Sequence, residues 1–146
     1  MGANTKVAGY KGETYIGAAG AIAATRVSNS ADDITVSYEE GRAETTTRGD
    51  GTAPPVTTHT IVSRDITSVK FVAMVKETDT IVETIMAAMA AGTPIAIRTK
   101  HHATGKGVDG DFYITAELSQ PIKDTSKLTV TGYPTDDEGR TPLLWS

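Results

Sequence analysis

Residues 66–96 read ITSVKFVAMVKETDTIVETIMAAMAAGTPIA, and this stretch decides the fold. Its first part alternates. Val69, Phe71, Ala73 and Val75 fall on one face of an extended chain, with Ser68, Lys70, Val72 and Met74 on the other. A period of two predicts a strand over Ile66–Lys76 with one buried face and one mixed face. The second part changes period. Thr80 and Glu83 have capping-box spacing, in which each side chain satisfies a backbone N–H of the first helical turn. Ile81, Val82, Ile85, Met86 and Met89 then recur on one stripe, as core filler on a helix's apolar face. Gly92 suits the left-handed residue that closes a helix, and Pro94 prevents continuation.

The flanking segments read as strands. Upstream, Asp33–Tyr38 alternates, with Ile34, Val36 and Tyr38 on one face and Thr35 and Ser37 on the other. Gly41 interrupts it, and Ala43–Arg48 reads as a second, mostly polar strand. Short strands are expected within Val7–Tyr15 and Ala23–Asn29, joined through Gly17–Gly20. Gly49–Ser63 is the least structured stretch, because Gly49, Gly51, Pro54 and Pro55 break a ladder; an extended hairpin over Val56–Val62 is the alternative. Downstream, strands are expected at Ile95–Thr99, Asp111–Leu118 and Lys127–Tyr133. One helix among so many strands cannot cover both faces of a parallel sheet. The expectation is a mainly β chain, a β-sandwich or open barrel with one flanking α-helix.

Composition agrees. The chain has 146 residues, enough for one domain with its own core, and 24 of them are Thr, a residue that packs well on pleated surfaces. It has no Cys, which excludes disulfides, thiolate nucleophiles and cysteine zinc sites. A net charge of −4 argues against a nucleic-acid grip, which needs an excess of basic side chains. No apolar run approaches the ~20 residues that span a bilayer, and Met1–Lys11 lacks the apolar core of a signal peptide.

Few residues suggest chemistry. His101 and His102, if adjacent on a strand, would point to opposite faces and could not easily share a metal ion; with Gly105 and Gly107 beside them, a solvated turn is the better reading. Gly105-Lys106-Gly107 is too short for a phosphate loop, and Asp109-Gly110-Asp111 lacks the ligand ladder of a calcium loop. His59 has no local orienting partner, and Asp32-Asp33 and Glu39-Glu40 read as charges that close a strand. With no nucleophile–base pair, the sequence suggests neither an enzyme nor a cofactor. Leu143-Leu144-Trp145 stands out: an apolar chain end needs cover, from its own sheet or from a neighbouring subunit, and the neighbour is favoured.

From Asp32 to Thr135 the succession of motifs resembles the tail tube (major tail) proteins of long-tailed bacteriophages. The resemblance rests on an alternating strand leading into AETTTR (43–48) and a Gly-containing loop, then the strand at Ile66–Lys76 and a helix. AGTPIA (91–96), GDFYIT (110–115), Gln120-Pro121 and a Thr-rich strand ending Gly132-Tyr133-Pro134-Thr135 follow in order. Pro54-Pro55 departs from the family's loop pattern.

The resemblance implies a single tail-tube domain over 1–146. Its arms toward other subunits would be the N-terminal segment 1–30, the long loop 41–64 and the C-terminal tail 134–146. Six copies would form rings that stack into a tube, through which genomic DNA passes without specific binding. The other implied partners are the tape-measure, tail-tip and tail-terminator proteins, in a virion assembled in the host cytoplasm. Arg48, Gly49, Asp50, Pro54, Pro55 and His59 would lie on the loop between rings, and Leu143, Leu144 and Trp145 on an inter-subunit tail. Thr35, Ser37, Glu39, Glu44, Thr46, Ser68 and Lys70 are the lumen-facing candidates. The alternatives are a tail terminator, a capsid decoration protein, or a monomeric β-sandwich binding module.

Overall fold

The computed structural model describes residues 6, 8–27, 34–47, 56–75 and 80–146. A 3₁₀ turn, Gly9–Lys11, precedes β1 (Glu13–Ala18), β2 (Thr25–Arg26), β3 (Thr35–Thr47) and β4 (Val56–Met74). Then come α1 (Thr80–Ala91), β5 (Ile95–Lys100), β6 (Asp109–Ser119) and β7 (Lys127–Thr135). The strands form one seven-stranded sheet in the order β2-β1-β5-β6-β7-β4-β3, with every neighbouring pair antiparallel.

The mainly β fold with one helix is the expected one, and the register shows why the alternation was readable. Val36, Val69, Gly132 and Ile114 lie in one row across four strands, and the row faces the core. The next row is Thr35, Lys70, Thr131 and Thr115, all polar and none of them buried. Phe71, Phe112, Ile97, Leu128 and Val130 are fully enclosed at the centre of the core. Helix α1 packs against β6 on this side, burying Ile85 and Ala88, with Met86 and Met89 at the margin.

The sheet curls. β1 and β3 are separated by four strands, a path of about 24 Å in a flat sheet. Yet a Cβ placed on Gly12, just before β1, would lie 3.7 Å from Ile34 Cδ1, just before β3. The two ends of the sheet therefore share one interior, which is the open-barrel form of the expectation.

Both ends of the helix follow their sequence signals, with one shift. Thr80 is the first helical residue, so the capping position falls on a residue outside the described ones. Gly92 adopts φ +70. Its N–H donates to Met89 O at 3.3 Å and that of Thr93 to Ala88 O at 3.1 Å, the paired bonds of a Schellman ending.

Two expectations change. Gly41 does not split a strand: β3 runs through it, with register shifts at Ser37/Tyr38 and Gly41/Arg42 that absorb the irregularity. The unstructured reading of Gly49–Ser63 fails from Val56 onward, where β4 begins, so the hairpin alternative holds. His101 and His102 sit in the turn after β5, as expected. Their rings meet edge to face at 4.2 Å.

Candidate assembly surfaces

β4 changes character along its length. From Val69 to Met74 it pairs with β7 throughout, and at Val69 and Lys70 with β3 as well. From Val56 to Asp65 it pairs with β3 alone, over nine register positions ending at Thr47–Val56. This half of the hairpin is a two-stranded ribbon that extends about 30 Å past the sheet. It spans most of the expected long loop 41–64, as a rigid ladder rather than a coil. Its side chains at Glu39, Glu40, Arg42, Ala43, Glu44, Thr57, Thr58, His59 and Asp65 are exposed.

His59 has a partner that the sequence does not reveal. It sits opposite Glu44, with Nδ1 3.4 Å from Glu44 Oε1. Glu40 and Arg42 pair at 3.6 Å along the same strand. Arg48, Gly49, Asp50, Pro54 and Pro55 lie outside the described residues.

The face of the sheet opposite the core is the second surface. Thr35, Ser37, Ser68 and Lys70 share it with Thr115, Glu117, Thr129 and Thr131. Uncharged hydroxyls dominate this wall. By alternation Glu39 continues the same side, whereas Glu44 falls on the other, so the lumen candidates do not form one set. Thr46 is in β3 opposite Thr57.

The C-terminal segment folds back onto its own sheet. β7 leaves β6 at Thr135, and the chain returns to fill the vacated place. Leu143 exchanges both backbone bonds with Asp109 at 2.7 and 3.0 Å, and Ser146 both with Gly107 at 2.8 and 3.2 Å. The Tyr38 hydroxyl donates to Leu144 O at 3.1 Å, and Trp145 stacks on His101 at 5.1 Å. Gly110 allows this close packing, since a Cβ there would sit 3.0 Å from Pro142 Cα. Of the two expected covers for Leu143-Leu144-Trp145, the chain's own sheet is the one observed. Leu143 and Trp145 still expose about half of their surface, at 49% and 60%.

A charged latch holds this segment, and sequence reading missed it. Asp109 and Asp111 are buried at 2% and 0% exposure. Arg140 Nη2 lies 2.6 Å from Asp109 Oδ1, and its Nη1 lies 3.7 Å from Asp111 Oδ1 and donates to Ala21 O. The Gly20 N–H donates to Asp111 Oδ2 at 3.0 Å. One arginine thus joins β6, the turn after β1 and the C-terminal segment. The only clue in the sequence was two acids at alternating positions of a strand; the cation is about thirty residues away.

Among the described residues, no three His, Asp or Glu side chains are placed to hold a metal ion. No described helix is long and apolar enough to cross a membrane.

No protein-family model and no curated protein matches this sequence. Solved structures do match its fold. One is a chain from the tail of an empty gene transfer agent particle, refined helically with C6 symmetry. It aligns with a TM-score of 0.63 at 13% identity, over 89% of this chain and 93% of that one. Another, from the virion of a native gene transfer agent particle, aligns with a TM-score of 0.62 at 11% identity, over 90% and 94%. The chain therefore shares, nearly end to end, the fold of a component of a phage-like tail.

Proposed function

We propose that this chain is a non-enzymatic structural subunit of a phage-like tail tube, whose copies form six-membered rings that stack into a conduit for DNA. The observation that carries the reading is the ribbon made by β3 and the first half of β4. A two-stranded hairpin with no third strand and no core of its own is marginally stable in water. A chain that extends one for nine register positions has a use for it outside its own sheet. The matching fold in a gene transfer agent tail with C6 symmetry supports a ring of six.

The other surfaces fit the same role. β3 is an edge strand of thirteen residues, long enough to template pairing with another copy. Among the eight residues named on that wall Lys70 and Glu117 offset each other and the rest are hydroxyls, and the net charge of −4 discourages adhesion of a phosphate chain. The tail-tip, tape-measure and terminator proteins would then meet the ends or lumen of the tube, in the virion.

The test is sedimentation velocity over a wide concentration range, with negative-stain microscopy of the concentrated sample. Species that grow with concentration into hollow six-fold tubes support the reading. A closed ring that never stacks would favour a terminator or decoration role, and a monomer at every concentration would favour a binding module.

A further inference from the structure

Three cations surround one phenol at the β1 edge of the sheet. Tyr15 faces Arg26 of β2 on one side and Arg98 of β5 on the other, and Lys100 Nζ lies 5.0 Å from its ring centroid. One carboxylate answers them. Glu13 accepts the Tyr15 hydroxyl proton at 2.6 Å and pairs with Arg26 at 3.3 Å. Arg98 is left with a buried Nε that has no hydrogen-bond partner. Lys6, Lys11 and Lys106 enlarge the imbalance: residues 6–27 and 95–108 hold six cations and only Glu13 as an anion. These two segments thus carry +5 in a chain of net charge −4, while Asp109, opposite Arg98 in the register, is paired with Arg140.

The ribbon has the opposite charge. Over 39–47 and 56–65 it carries Glu39, Glu40, Glu44 and Asp65 against Arg42 and Arg64. It also lacks the support that a two-stranded hairpin needs.

The geometry points to the Tyr15–Arg26–Arg98–Lys100 corner as the landing site for the acidic β3–β4 ribbon of a second copy of this chain. This inference rests on the self-assembly reading and adds its polarity: each copy offers an acidic arm and a basic receptor, so contacts run head to tail. Ribbon carboxylates brought to the corner would meet guanidinium groups already half withdrawn from water, where charge-assisted bonds are strongest. The contact should weaken as salt rises.

A charge-swap experiment on the full-length chain tests this. One variant carries Glu40→Lys and Glu44→Lys, which fall on the same side of β3 by alternation, so that arm and receptor are both basic. The other carries Arg26→Glu and Lys100→Glu, so that both are acidic. Circular dichroism checks folding, and sedimentation reads the concentration at which assembly begins. Each variant alone should need at least about tenfold more protein than the unaltered chain, because like charges now face each other. An equimolar mixture of the two should recover assembly. The neutral pair Arg26→Gln and Lys100→Gln adds no repulsion beside Glu13 and should still raise the onset by about threefold.

Variants that assemble as the unaltered chain does would overturn the inference and leave the self-assembly reading standing. So would folded variants that fail both alone and mixed. An unaltered chain that stays monomeric throughout would overturn both.

Discussion

The two halves of β4 are one continuous strand with two fates. Between Val69 and Met74 it pairs with β7 and, at its start, with β3, and it buries Val69, Phe71 and Ala73 completely. Between Val56 and Asp65 it pairs with β3 alone, and its described side chains, Thr57, Thr58, His59 and Asp65, are exposed. Hydrogen bonding is nearly as regular in the second half as in the first. What differs is burial, and burial supplies most of the free energy of folding. The body half specifies the fold, while the ribbon half carries polar surface outward without contributing much to it.

Substitutions can break or sharpen this contrast. Phe71→Ala should have the largest effect, about 3–5 kcal/mol in urea unfolding, because the ring is fully enclosed and the cavity could close only in part. Arg140→Ala comes next, at about 3 kcal/mol, since it would leave Asp109 and Asp111 buried without their cation. A loss there below 1 kcal/mol would show that the latch is ornamental to stability. Gly92→Ala should cost about 1 kcal/mol, read as a lower thermal midpoint, because a side chain is strained at φ +70. Glu44→Gln on the ribbon should change unfolding by less than about 0.5 kcal/mol, its pair with His59 being exposed. A ribbon substitution as costly as Phe71→Ala would erase the distinction.

The smallest effect concerns pH. Donation to the Glu13 carboxylate holds the Tyr15 phenol above its ordinary pKa. The folded value is raised, so the contribution is fully present below the unfolded tyrosine value and fades as pH rises through the folded one. Tyrosinate absorbance of Glu13→Gln should therefore show ionisation beginning at lower pH than in the unaltered chain. Identical titrations would show that the bond does not persist in solution.

The same contrast explains what the sequence revealed. Ile66–Met74 was legible because a strand with one dry face must alternate, and α1 because its stripe and its Gly92 ending are local. The ribbon was not, since Thr57, Thr58 and His59 are exposed in succession, follow no burial period and look like loop. The latch was invisible for another reason. Asp109 and Asp111 occupy outward positions of β6, and only the folding of residues 136–142 over them turns a solvated face into a buried one. The apolar Leu143-Leu144-Trp145 announced that it would be covered, but could not say by which copy.

The central claim is that the ribbon exists for assembly and the rest of the sheet for folding. The most direct test joins Gly41 to Ser63, which face each other in the register, through an Asn-Gly turn, and compares this shortened chain with the full one by sedimentation and negative-stain microscopy. The account predicts a shortened chain within about 1 kcal/mol of full stability that forms no stacked tubes at concentrations where the full chain does. Tubes of normal length from the shortened chain would contradict it.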